Sequence, residues 1–267
     1  MTTMTRPSPP VDPIGVDLTR TLRALKLGGM ADTLPERLVL ARQQHLGHAA
    51  FLELVLSDEV TRREGRSATL RAAKAGLDPT MRLDTFDDQP DLSYDRQLWS
   101  DLTTLRFAEA GTGVLILGPV GVGKTHLATA LGHIAIRRRM TVGFHRADKL
   151  FTRLRAARLD NTLDAEVRRL TSIDLLIVDD FALRALDATQ TNDFYAIVVE
   201  RHRRASTIWV SNREPAEWLT MTADTLLAQS AIDRLTATAH TLVIEGPSYR
   251  QRTRPQLDPD PADEHPQ

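Results

Sequence analysis

The sequence predicts an α/β fold: a five-stranded parallel sheet with helices on both faces, preceded by a small all-helical domain. Three observations predict it. From residue 114 onwards five short apolar, β-branched runs recur, and the gaps between the first four are long enough for crossover helices. A glycine-rich run follows the first of these strands without a gap. Before residue 77 the apolar residues recur at helical spacing instead.

Along the chain, residues 1–14 are polar and proline-rich and are expected to be disordered. Residues 15–76 are expected to form the helical domain. Leu22, Leu25 and Leu27 mark a helix over 19–27, and Leu52, Val55, Leu56 and Val60 mark a longer one over 35–63. Gly76 and Asp78-Pro79 interrupt the pattern, so 77–95 is expected to be a linker. Residues 96–250 hold the predicted strands at 114–117, 141–144, 175–178, 207–210 and 242–244. Residues 251–267 are rich in proline and acid and are expected to be a disordered tail, which leaves no room for a helical lid after the last strand.

The run 118–125, GPVGVGKT, fits the pattern G-x-x-x-x-G-K-[ST], with a strand before it and a predicted helix, 126–139, after it. Glycines let the backbone wrap with its N–H groups inward, and the helix N-terminus adds partial positive charge. That is a cradle for the phosphates of ATP. Lys124 is expected to reach the β- and γ-phosphates, and the Thr125 hydroxyl to ligate Mg²⁺. The nucleotide-binding run is read as Gly118, Pro119, Val120, Gly121, Val122, Gly123, Lys124, Thr125 and His126.

The strand 175–178 ends in Asp179 and Asp180. Beside the phosphate loop it brings acids to the carboxyl edge of the sheet, where open α/β folds bind ligands. Asp179 is expected to hold Mg²⁺ through water, and Asp180 to orient the attacking water. The fourth strand ends in Ser211-Asn212. Read alone, Asn212 is a turn residue; beside the phosphate-loop strand it would sense the γ-phosphate. Arg234, in a helix before the last strand, is by residue type alone the partner of a local acid such as Asp233. Pointing out of its own subunit, it would complete a neighbour's site instead.

Several blocks together resemble the IstB-like transposition helpers, P-loop ATPases of the AAA+ class related to the DnaC helicase loaders. They are GPVGVGKTHLATALG (118–132), LLIVDDFALR (175–184), VVERHRRASTIWVSNREPAEW (198–218), SAIDRL (230–235) and EGPSYR (245–250). The resemblance spans residues 17–254. It implies an AAA+ core behind a helical domain, self-assembly with ATP on duplex DNA, and work with a partner transposase in selecting the target. It assigns Gly118, Gly121, Gly123, Lys124 and Thr125 to the phosphate loop, Asp179 and Asp180 to metal and water, Asn212 to the sensor position and Arg234 to the inter-subunit arginine. The chain has Asp180 where Glu is commoner in the class, which predicts slow turnover. A replicative helicase loader is the alternative the core motifs fit equally well. A small-molecule kinase is disfavoured, because the acidic pair and polar strand end suit hydrolysis.

Bulk composition narrows the rest. Net charge is −1, so any DNA binding must come from local basic rows. Residues 1–76 carry 11 Lys+Arg against 8 Asp+Glu, and residues 77–117 carry 3 against 8. The candidates for DNA-backbone contact with weak sequence preference are Arg62, Arg63, Arg66, Arg71 and Lys74, and in the core Arg153, Arg155 and Arg158. Arg137-Arg138-Arg139 and the row Arg201, Arg203 and Arg204 are further basic runs. With no cysteine, disulfides, thiolate zinc sites and cysteine nucleophiles are excluded. No signal-peptide core and no membrane span are evident, which predicts a cytoplasmic protein.

Overall fold

The computed structural model describes residues 14–249. The expected disordered ends and Arg250 lie outside them, save for Ile14, which is buried. The chain divides between Thr69 and Leu70 into two compact units.

The first unit contains α1 (Val16–Ala24), α2 (Met30–Gln43) and most of α3 (His48–Ala75). Its small core joins Ile14, Leu22, Met30, Leu34 and Val55. The single helix expected over 35–63 is two helices. The break is set at His45, which adopts φ 51°, while the Leu46 N–H turns back to the Ala41 carbonyl at 2.9 Å. Pro35 does not start α2 but lies inside it; Met30 and Leu34, one turn apart on the same face, are both buried in the unit's core and begin the helix before it.

The second unit is the α/β core. After α4 (Arg96–Thr103) and α5 (Arg106–Glu109) come β1 (Val114–Leu117), α6 (Lys124–Arg137), β2 (Val142–Arg146), α7 (Ala147–Leu159), α8 (Leu163–Thr171) and β3 (Leu175–Asp179). Then follow α9 (Ala188–Arg201), β4 (Ser206–Ser211), α10 (Pro215–Trp218), α11 (Thr225–Thr236) and β5 (His240–Val243). The sheet is parallel throughout, in the order β2-β3-β4-β1-β5. Every residue of β1, β3 and β4 is buried, as expected for central parallel strands covered on both faces. One face packs against α6, where Gly132 leaves room for Ile177 and Leu77. The other carries a core of Leu115, Leu176, Val178 and Trp209 against α7, α8, α9 and α11.

Two expectations are corrected here. β4 stands between β1 and β3, so the acid-bearing strand is one strand removed from the phosphate-loop strand. Residues 77–95 are no linker; they pack as part of the second unit. Leu77 and Leu92 are buried, His133 Nε2 donates to the Asp78 carbonyl at 2.8 Å, and His126 Nε2 to the Arg82 carbonyl at 2.7 Å. Two histidines about two turns apart on α6 thus pin this segment down. No helix among the described residues is long and apolar enough to cross a membrane.

Candidate functional site

The loop leaves β1 at Gly118, which adopts φ 146°; a Cβ there would stand 2.1 Å from the Ile244 carbonyl oxygen. Only glycine fits that backbone and that approach. The loop then closes onto the N-terminus of α6 at Lys124. Lys124 is buried, and its Nζ donates to the carbonyls of Gly118 at 2.8 Å and Pro119 at 2.6 Å. The ammonium therefore lies over the loop, held by neutral acceptors that an anionic phosphate outcompetes. Val122 is buried beneath the loop, whereas Val120 is exposed at its rim.

Thr125, one residue into the helix, donates its hydroxyl to Asp179 Oδ2 at 3.0 Å. The bond reaches across the interposed β4, so the acid is brought to the loop despite the strand insertion. Asp179 is 4% exposed. Burial, and then the neighbouring Asp180 carboxylate, raise its pKa above the ordinary value; the Thr125 hydroxyl and Lys124 offset part of that rise. A buried carboxylate facing a second carboxylate is a place where a cation is welcome. Asp180 adopts φ 55°, and its carboxylate meets Arg146 Nη2 at 3.4 Å. Asn212 follows Ser211, whose Cα partner across the sheet is Leu117, so it stands on the same carboxyl edge directly beside the loop.

The loop, Thr125, Asp179, Asp180 and Asn212 line one cleft of about 880 Å³. Thr85, Phe86 and Tyr249 line it from other sides. The Phe86 ring stands edge-on to His126, with centroids 5.3 Å apart. A cleft of this size, lined by polar and charged side chains as well as by apolar ones such as Phe86, Phe144 and Leu183, suits a nucleotide. Three of its parts were missed by sequence reasoning. Arg146 ends β2 at the same edge, and strand-end logic applied to β2 would have found it. Phe86 carries no local signal, and Tyr249, though inside the EGPSYR block, is given no role by it; the fold brings both there.

Other predicted residues lie elsewhere. Arg234, on α11, is outside the cleft lining. Its guanidinium donates to the Ser230 carbonyl at 2.8 Å and to the Ser230 hydroxyl, and lies 5.9 Å from the Tyr195 ring centroid, so Asp233 is not its partner. Most of the arginines expected to face DNA are engaged within the protein. Arg62 and Arg63 both bind the buried Glu59, each at 2.7 Å, and Arg63 Nη2 donates to the Lys26 carbonyl at 2.6 Å. Arg71 donates to the Ile136 carbonyl at 3.0 Å. Arg153 binds Glu166 at 2.7 Å, Arg155 binds Asp187, and Arg158 binds Asp193 at 2.6 Å. Arg201 is 2% exposed and holds four neutral acceptors, including the Leu170 and Ile173 carbonyls. Arg66 and Lys74 are exposed, and neither forms an ion pair among the described residues.

Comparison with known proteins adds to this geometry. A family pattern described as IstB-like ATP binding protein matches residues 20–257. A protein of Mycobacterium tuberculosis, described as an ATP-binding protein in an insertion sequence, is 37% identical over 239 residues, covering 89% of this chain and 95% of that protein. The ATP-binding protein of insertion sequence IS21 from Pseudomonas aeruginosa is 32% identical over 238 residues, covering 89% and 90%. Among solved structures, the DnaC helicase loader is similar with a TM-score of 0.54 at 20% identity, over 62% of this chain and 97% of that one. AMPPCP-bound DnaA from Aquifex aeolicus is similar with a TM-score of 0.50 at 23% identity, over 64% and 51%. At those identities the structural likeness is one of fold.

Proposed function

The chain belongs to the IstB-like ATP-binding family, with the AAA+ form of the P-loop fold, and from that premise we propose that it is an ATPase that assembles on duplex DNA with ATP and Mg²⁺ and assists a partner transposase in target selection. The observation that carries this reading is the bond from Thr125 to the buried, proton-loving Asp179 at the foot of the loop.

The residues divide the work as follows. The inward N–H groups of 118–125 hold the phosphates, with the α6 N-terminus behind them. Lys124 leaves the loop carbonyls for the β- and γ-phosphates. Thr125 and Asp179 fit Mg²⁺: one hydroxyl and one buried carboxylate, hydrogen-bonded to each other at 3.0 Å, would supply it with oxygen ligands. When bound, Mg²⁺ withdraws charge from the phosphate oxygens. Asp180 orients the attacking water and accepts its proton once freed from Arg146. Asn212 senses the γ-phosphate, and Arg234 of a neighbouring copy stabilises charge on the transferring group. The relatives' insertion-sequence origin favours a transposase partner over a helicase. With most candidate arginines ion-paired, DNA contact through backbone phosphates falls to cations such as Arg66 and Lys74, which suits weak sequence preference.

Gel shift on random duplex DNA, with and without ATP·Mg²⁺, tests the reading. Binding is expected with ATP and not without it. Lys124→Ala is expected to lose both nucleotide and assembly. Asp180→Asn is expected to bind ATP and assemble, with turnover down by about 100-fold or more. No ATP-dependent binding even at low salt sinks the proposal, as does wild-type assembly by both variants.

A further inference from the structure

We propose that residues 246–249, just after β5, form a clamp on the phosphate loop, and that its closing is coupled to nucleotide binding. The inference rests on the nucleotide reading of the loop and concerns a segment that reading leaves without a role.

A phosphate loop that turns its N–H groups inward must turn its carbonyls outward, and those need partners of their own. This chain supplies one from its far end. The Tyr249 N–H donates to the Gly121 carbonyl at 2.9 Å. Ser248 lies so close to Gly121 that a Cβ there would stand 2.1 Å from the serine hydroxyl. One step earlier, the Ile244 N–H donates to the Leu117 carbonyl at 2.8 Å, at the point where β1 becomes the loop. The Ile244 carbonyl is the group that crowds Gly118.

The segment is itself anchored upstream. Ser93 and Glu245 exchange two backbone hydrogen bonds, each 2.9 Å, and Gly246 fits closely over the Asp91 carbonyl. Residues 244–249 are therefore fixed at one end by the sheet and 91–93, and at the other by the loop. Tyr249, 47% exposed, also lines the cleft.

Lys124 explains why such a clamp matters for binding. Its ammonium holds the Gly118 and Pro119 carbonyls, and those bonds must be surrendered when it turns to a phosphate. The loop then keeps its shape through its remaining contacts, of which the Tyr249-to-Gly121 bond is the one at its tip. A closed clamp preorganises the cradle and tightens binding. By linkage, bound nucleotide must hold the clamp closed by the same factor.

The test uses the full chain, a fluorescent ADP analogue and amide hydrogen exchange. Tyr249→Pro removes the N–H donor, whereas Tyr249→Ala keeps it and removes only the ring. Tyr249→Pro is expected to weaken ADP binding roughly tenfold relative to Tyr249→Ala, the scale of one lost hydrogen bond at a site without a substitute donor. In the unsubstituted protein, saturating ADP is expected to slow exchange of the Ser248 and Tyr249 amides at least tenfold. Exchange unchanged by ADP that binds overturns the clamp, whatever the variants do, and decides the matter if Tyr249→Pro fails to fold. No ADP binding by the unsubstituted protein overturns the nucleotide site and the clamp with it.

Discussion

Asp179 shows how a site residue strains against its fold. Burial and Asp180 raise its carboxyl pKa above the ordinary 3.8. A group whose folded pKa is raised stabilises the protein fully below the unfolded pKa and loses that contribution as pH rises through the folded value. At neutral pH the ionised Asp179 is therefore a burden on the nucleotide-free protein, one that a cation would lift. Asp179→Asn is expected to raise the melting temperature of the nucleotide-free protein at neutral pH, and to have little effect at pH 3, below the ordinary carboxylate value of 3.8. A gain of about 2–4 °C corresponds to each kcal/mol in a chain of this size. With ATP·Mg²⁺ the order should reverse, because the variant loses the ligand's stabilisation. Thermal melts at both pH values, with and without nucleotide, check it; a variant less stable than wild type at neutral pH without nucleotide defeats the argument. The edge position of Asp179 was legible in the sequence, because an apolar β-branched run ending in acids has few other readings. Arg146 ends a strand at the same edge and was open to the same reasoning; only its role was hidden, since that depends on a carboxylate 34 residues on folding against it.

At the scale of elements, the same contrast separates strands from helices. The five strands were legible because their runs are short, apolar and bounded, and all five lie within two residues of expectation. The break between α2 and α3 was not, because Gln-Gln-His tolerates a helix and a single positive φ at His45 makes the difference. What the charge rows hide has a related reason: a sequence counts cations but not their partners. Arg62 and Arg63 look like a DNA-facing row, yet both close on Glu59, which is 4% exposed. Hydrogen bonding from Arg62, with Arg63 adding to it against the cost of burial, holds the Glu59 carboxyl down at about 2 instead of 4.5. A depressed carboxylate pKa contributes stability above the unfolded value and loses it as pH falls towards the folded one. The first unit should therefore lose protection between pH 4.5 and about 2. Glu59→Gln should open it at neutral pH and flatten that acid response. Hydrogen exchange of the α3 amides across this range checks both; an unchanged acid profile in Glu59→Gln would remove Glu59 as the cause.

At the scale of the whole molecule, the sheet order collects the loop, Asp179, Asp180 and Asn212 in one cleft and leaves Arg234 out of it. On α11 its guanidinium is spent on Ser230 and lies near Tyr195. An arginine outside its own cleft serves turnover only if a second copy brings it there, through a head-to-tail contact that repeats from copy to copy. In the assembly proposed above, the active unit would be a junction between copies, and ATP the condition for forming it. Mixing decides the point. Arg234→Ala and Asp180→Asn chains should each hydrolyse ATP poorly alone, the first for want of charge stabilisation and the second for want of an oriented water. Mixed in equal amounts on DNA, the junctions that pair an intact Asp180 with an intact Arg234 from its neighbour regain function. Random assembly makes these about one quarter of the total, so about a quarter of wild-type turnover should return. If Arg234 served its own subunit, no mixed junction would hold both groups and nothing would return. If Arg234→Ala alone hydrolysed like wild type, the arginine would have no part in the reaction, and the ion-pair-free contact with Ser230 would be its whole role.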